Sequence, residues 1–187
     1  MARLKVGDKA PRTNTTAIDG SPVTVPGRNN GLVHVQFRRF AGCPVCNFHL
    51  ISMARRVDEV HAAGIRQVVF FHSSAQEMRK YQAQLPFSCV ADPAKQYYRA
   101  WGVETSLGAL FHFRVLINGA RWVLGQRRFY RKAENGVFGL PADFLVDAQG
   151  VIVACKYGQH ADDQWDVDNL LQAAQGVSEG PPIVAAR

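Results

Sequence analysis

The sequence predicts an α/β domain: a central mixed sheet flanked by helices, with an N-terminal hairpin and one insertion. Three observations carry this expectation. Strand-like runs at 32–37, 65–72 and 87–92 alternate with helix-like segments, which implies short right-handed crossovers and a mainly parallel arrangement of those strands. Near the C-terminus, 140–147 and 151–157 flank Ala148-Gln149-Gly150 as the arms of an antiparallel hairpin would. Between them, at about 104–136, the rhythm stops, which marks an insert. The expected organisation is one domain over residues 1–175, followed by a loosely held tail at 176–187 that contains Gly180-Pro181-Pro182.

Each element has a local reason. Ile18-Asp19-Gly20-Ser21 is a turn signal between two short extended pieces, hence the N-terminal hairpin. Leu32-Val33-His34-Val35-Gln36-Phe37 reads as a buried strand. After it, Cys46, Leu50, Met53, Val57 and Val60 recur at helical spacing and predict a helix of about four turns, stopped by Ala63-Gly64. Ile65 to His72 is the next strand, and Ser73 or Ser74 caps an amphipathic helix running to Leu85, where Pro86 ends it. Phe87 to Asp92 is a third strand, and Asp92-Pro93 opens a helix that reaches Trp101. Ala161-Asp162-Asp163 opens the last helix, with acidic residues set against its dipole.

The chemistry concentrates where the first of these strands meets its helix, at Arg38-Arg39-Phe40-Ala41-Gly42-Cys43-Pro44-Val45-Cys46. Pro44 suits the first helical turn, where its missing N–H costs nothing, so Cys43 falls near the cap and Cys46 within the first turn. Free N–H groups and the positive end of the helix dipole favour thiolate over thiol there. Residues three apart on a helix have α-carbons about 5 Å apart, within disulfide reach. Arg38 and Arg39 could add to the effect, but strand alternation predicts that only one of them faces the thiols. The earlier thiol, Cys43, is expected to be the more exposed.

Composition narrows the alternatives. The 187 residues carry a net charge of +7 and four cysteines. No apolar run reaches the length of a membrane span and the N-terminus lacks a signal-peptide core, so a cytoplasmic setting is expected. In that compartment a local Cys-x-x-Cys reads as a redox pair. Cys43, Cys46 and His49 could supply three metal ligands, yet no second cysteine pair follows at zinc-site spacing; Asn47 stands where covalent haem would need histidine. No metal and no cofactor are expected. Cys89 and Cys155, in strands, are read as buried inert thiols. The basic, aromatic stretch Arg121 to Lys132 suits either a nucleic-acid surface or a cover or homodimer contact. The rest of the chain has no recognition motif, so the cover or contact is preferred.

Several segments together resemble one family, the peroxiredoxin-like (AhpC/TSA-like) branch of the thioredoxin fold. Gly7-Asp8-Lys9-Ala10-Pro11 is similar to its lead-in, Asp92-Pro93 with Ala100-Trp101-Gly102-Val103 to its following helix, and Leu140-Pro141 before Ala142 to Gly150 to the thioredoxin cis-proline loop and hairpin. The pattern Arg39-x-x-Gly42-Cys43-x-x-Cys46 resembles a peroxiredoxin-like subgroup. The likeness spans about 5–103 and 137–175. It departs from the peroxiredoxin motif, in which Arg39 takes the place of a proline and Cys43 that of a threonine or serine. The family's second arginine, expected after the insert, is replaced at or near Pro141. The resemblance implies a thioredoxin-like fold, a cis bond before Pro141 that lays the Leu140–Pro141 backbone beside the cysteines, a peroxide or disulfide substrate, and a thioredoxin-type reductant. In the peroxiredoxin register Cys46 attacks peroxide; in the thioredoxin register Cys43 attacks disulfides. A thiol peroxidase therefore leads, ahead of a general dithiol–disulfide oxidoreductase and a non-catalytic binding module.

Overall fold

The computed structural model describes residues 2–27, 31–103, 134–136 and 139–178. Strands β1 (Thr13–Thr16) and β2 (Pro22–Val25) form the N-terminal antiparallel hairpin. The central sheet holds β3 (Leu32–Arg38), β4 (Ile65–Phe71), β5 (Ser88–Ala91), β6 (Ala142–Val146) and β7 (Ile152–Tyr157), in the order β5-β4-β3-β6-β7. The helices are α1 (Pro44–Arg55), α2 (Val57–Ala62), α3 (Ala75–Met78), α4 (Gln96–Ala100) and α5 (Val167–Ser178).

The sheet is mixed. β3, β4 and β5 run parallel, with Val35 opposite Val68, while β6 lies antiparallel to β3, with Phe144 opposite Val35, and β7 antiparallel to β6. The parallel expectation holds for the first three strands only, because β6 and β7 join as a two-arm hairpin whose turn closes at Asp147–Gly150. Alternation along the strands divides the molecule. Val33, Val35 and Phe37 pack with Phe70, Phe144, Tyr98 and Trp101 on one face. The other face takes α1, through Val45, Cys46 and Leu50 against Val69 and Phe71, and α5, through Val167, Leu170 and Ala174 against Ile65 and Leu145.

Four helices differ from expectation; α4 starts at Gln96, with the Asp92 carboxylate accepting from the Gln96, Tyr97 and Tyr98 N–H groups. The long helix is broken at Arg56 (φ −117°, ψ 23°), whose guanidinium bonds both carboxylate oxygens of Glu59 and reaches Asp168 on α5 at 2.8 Å. The segment after Ser74 keeps helical geometry only to Met78; beyond it the chain turns, and the Gln82 amide reaches back to the loop before α1. The last helix starts at Val167, not at 161: Asp163 is bonded to Lys156 and to the Gln159 N–H, and Asp166 supplies the cap by accepting from the Asn169 N–H at 2.8 Å.

The peptide bond before Pro141 is trans; among the described residues the cis bond precedes Pro26. Pro141 sits just past the end of the β3–β6 ladder, where no N–H is needed, and its carbonyl accepts from the Gly158 N–H at 2.9 Å. That ladder-like placement needs no cis turn. The basic stretch 121–132 lies outside the described residues, as does nearly all of the 104–136 insert. No helix among the described residues is long and apolar enough to cross a membrane.

Candidate active site

β3 ends at Arg38, and after five intervening residues the chain enters α1 at Pro44. Hydrogen bonds hold this short link at almost every step. The Ala41 N–H donates to Ser73 Oγ at 3.0 Å, and the Ala41 carbonyl accepts from the amides of Asn47 (2.6 Å) and Gln82 (2.8 Å). Gln82 also donates to Asn47 Oδ1 at 2.8 Å, and the Cys43 N–H donates to the Phe40 carbonyl at 3.0 Å. Asn47 and Gln82 are buried, so each lost bond would leave an amide without water. Neither was recognisable in the sequence: a polar residue on a helix has no mark that says it faces inward.

Cys43 is the N-cap of α1, in extended conformation, with Pro44 first in the helix; its sulfur accepts from the Cys46 N–H at 3.4 Å. The two sulfurs are 2.8 Å apart and both cysteines are fully buried. The expectation that Cys43 would be the more exposed is therefore corrected. What separates the thiols is acidity. For Cys46, burial disfavours the thiolate, but the hydrogen bond with Cys43, the Arg39 charge, an Arg39 backbone bond and the Arg38 charge outweigh it and bring the pKa down to about 7. Burial, together with the bond to Cys46, pushes Cys43 up. Cys46 is thus the more acidic of the two thiols.

The two arginines part company. Arg39, outside the strand, extends Nη1 to 3.7 Å from Cys43 Sγ and lays its guanidinium 5.3 Å from the centre of the Phe40 ring. Arg38 stays in β3 and turns to the opposite neighbour: it pairs with Asp143 of β6 at 2.7 Å and donates to Gln36 Oε1 at 2.7 Å. Asp143 accepts also from His34 Nε2 at 3.0 Å and from the Trp165 N–H at 3.3 Å. Against burial, the Arg38 charge and the His34 bond hold the Asp143 carboxyl well below the usual carboxylate range. His49, half-buried, directs Nε2 at Arg38 Nη2, 3.4 Å away; burial and the Arg38 charge push its pKa down to about 3. It faces the ion pair and makes no bond to either sulfur.

Of the residues singled out in the sequence, Cys43, Pro44, Cys46 and Arg39 come together. Leu140 and Pro141 are buried, but no hydrogen bond joins either to a sulfur; at their neighbour Gly139 an added Cβ would lie 3.5 Å from Arg39 Cγ. Cys89 is buried in the cluster that holds both cysteines and burial raises its pKa to about 12, whereas Cys155 is only half-buried. The Arg38–Asp143 pair was missed, though it left a signal: a lone charge inside each of two strands, of opposite sign.

A profile described as the AhpC/TSA family matches residues 6–155. The chain belongs to the AhpC/TSA family. It is 26% identical over 161 residues to peroxiredoxin-named sequences from two strains of Mycobacterium tuberculosis, covering 85% of this chain and 88% of theirs. Among solved structures it is similar to the peroxidoxin BcpB of M. tuberculosis (TM-score 0.69, 12% identity, 94% of this chain and 99% of that one). It also resembles a protein from Chlorobium tepidum named as a thiol:disulfide interchange protein DsbE (TM-score 0.59, 20% identity, 91% and 99%). The fold is thus the thioredoxin-like one of the peroxiredoxins, and membership of this AhpC/TSA family makes the chain a thiol-dependent oxidoreductase of peroxiredoxin type.

Proposed function

We propose that the chain reduces a hydroperoxide with Cys46 as attacking sulfur and Cys43 as resolving sulfur. The Cys46 thiolate attacks the terminal peroxide oxygen; the S–O bond forms, the O–O bond breaks, and the leaving alkoxide or hydroxide takes a proton from solvent. The Cys43 thiol then condenses with the sulfenic acid, forming the disulfide and releasing water. An external protein dithiol of thioredoxin type reduces that disulfide by exchange. Arg39 supplies the cation beside the pair, Pro44 starts the helix, and Leu140–Pro141 backs the Gly139 contact. The setting is a reducing cytoplasm, residues 1–175 act as one domain, and the insert serves as a cover or homodimer contact.

The observation that carries this reading is the placement of the Cys43 and Cys46 sulfurs 2.8 Å apart at the start of α1, with Arg39 Nη1 3.7 Å from Cys43 Sγ. The test is a pair of single variants treated with one equivalent of peroxide and then dimedone. Cys43→Ser retains a trappable sulfenic acid on Cys46, whereas Cys46→Ser forms none readily; the reverse pattern refutes the order. Wild type loses two protons at residues 43–46 by mass spectrometry, and untouched thiols there would refute the activity.

A further inference from the structure

Arg39 is joined through its backbone to the end of β4. His72 is 1% exposed, and its backbone N–H donates to the Arg39 carbonyl at 3.2 Å. Its ring lies 6.2 Å from the Phe40 ring and 5.7 Å from the Tyr98 ring, centre to centre. Gly139 completes the packing: a Cβ added there would lie 3.1 Å from His72 Nε2 and 3.5 Å from Arg39 Cγ. A methyl group at Gly139 would therefore press on the imidazole edge and reach van der Waals contact with the arginine stem. Neither ring nitrogen makes a hydrogen bond of normal geometry among the described residues, so the ring's contribution is its shape. Its carbonyl is tied down separately, by Asn135 Nδ2 at 2.9 Å.

We propose that His72, wedged against Gly139, is the positioning residue that holds the Arg39 side chain over the Cys43–Cys46 pair. The proposal rests on the reading of Arg39 as the cation beside the thiols. His72 itself stays neutral near pH 7: burial, with the Lys95 and Arg39 charges nearby and against its own and the Glu134 carbonyl, keeps its pKa at about 4. Tyr98, also facing it, is buried with its pKa raised. His72 therefore adds no charge of its own to the site and acts through where it places Arg39.

The experiment is a thiolate titration, by absorbance at 240 nm, of the reduced full-length protein. His72→Ala lets the arginine stem withdraw, and the Cys46 pKa rises by about one unit, the scale of losing a nearby opposite charge. Thiolate at pH 7 then falls about five-fold. His72→Phe, which rebuilds the wall without nitrogens, keeps the titration near that of the wild type. In an Arg39→Ala background, His72→Ala adds no further shift. Gly139→Ala, which crowds the wedge instead of removing it, also raises the pKa and serves if His72→Ala fails to fold. A folded His72→Ala or Gly139→Ala with an unmoved titration overturns the proposal, as does an undiminished effect of His72→Ala without Arg39. If Arg39→Ala shifts the titration and His72→Ala does not, the positioning role alone fails; if Arg39→Ala shifts nothing, the cation reading fails as well.

Discussion

Replacing Asp143 by leucine should be among the most destabilising single changes in the sheet. The carboxylate is fully buried and accepts from Arg38 at 2.7 and 3.3 Å, from His34 at 3.0 Å and from the Trp165 N–H at 3.3 Å. Removing it leaves the Arg38 guanidinium charged, buried and without its counter-ion, which costs about 3–5 kcal/mol. Urea unfolding followed by far-UV circular dichroism reads that loss directly. Removing both ions is the sharper test: Arg38→Leu with Asp143→Leu takes away the uncompensated charge and leaves only the orphaned neutral donors, at about 1–3 kcal/mol. The pH dependence adds a sign. The Asp143 pKa is depressed by folding, so its contribution is present above the unfolded value of about 4 and is lost as pH falls through the lower folded value. The acid limb of Asp143→Leu should lack that component. A double variant less stable than Asp143→Leu alone, or a single variant within about 1 kcal/mol of wild type, would refute the account.

Histidine burial predicts a second pH effect: His49 and His72 have folded pKa values near 3 and 4, so the unfolded chain binds more protons below about 6.5. Stability should therefore rise with pH between 4 and 6, by about 1–3 kcal/mol per unit for the two together, the half-exposure of His49 setting the lower figure; a flat profile from chemical denaturation would contradict this. Gln82→Ala removes two buried hydrogen bonds to the loop before Cys43 and should cost about 1–2 kcal/mol, with slower peroxide oxidation of Cys46, measured by stopped-flow fluorescence; an unchanged rate would show that the loop holds its shape without Gln82. If the insert is a cover or contact, random DNA should bind no tighter than about 10⁻⁴–10⁻⁶ M and release at moderate salt, and sub-micromolar binding at physiological salt would overturn that role.

What the sequence disclosed and what it withheld follow the range of the interactions involved. Pro44 after Cys43 and the apolar spacing of Cys46, Leu50 and Met53 are local signals, and they placed the start of α1 correctly. The Asp147–Gly150 turn is equally local and placed the β6–β7 hairpin. Residues whose partners are far along the chain defeated the reading. Arg56, where the long helix breaks, pairs with Asp168 of α5. Arg38 and Asp143, 105 positions apart, become a pair only once β3 and β6 are known to be neighbours. The cis bond expected at Pro141 came from family likeness, and the bond there is trans.

The same division explains where the thiolate lies. Helix-end chemistry taken alone favours Cys43, whose sulfur caps α1 and receives the Cys46 N–H. That bond is a single weak one to sulfur, and it acts in a site with no solvent to share the charge. The Arg39 charge favours either thiolate, so it does not choose between them. Cys46 gains two further contributions: the hydrogen bond with Cys43, which stays protonated, and a backbone bond from Arg39. Arg38 is kept from dominating because Asp143 balances it at 2.7 Å. The loop between the strand and the helix thus decides the matter. By carrying Arg39 out of β3 and returning its backbone toward Cys46, it helps to bring the Cys46 pKa down to about 7, while burial pushes that of the capping Cys43 up.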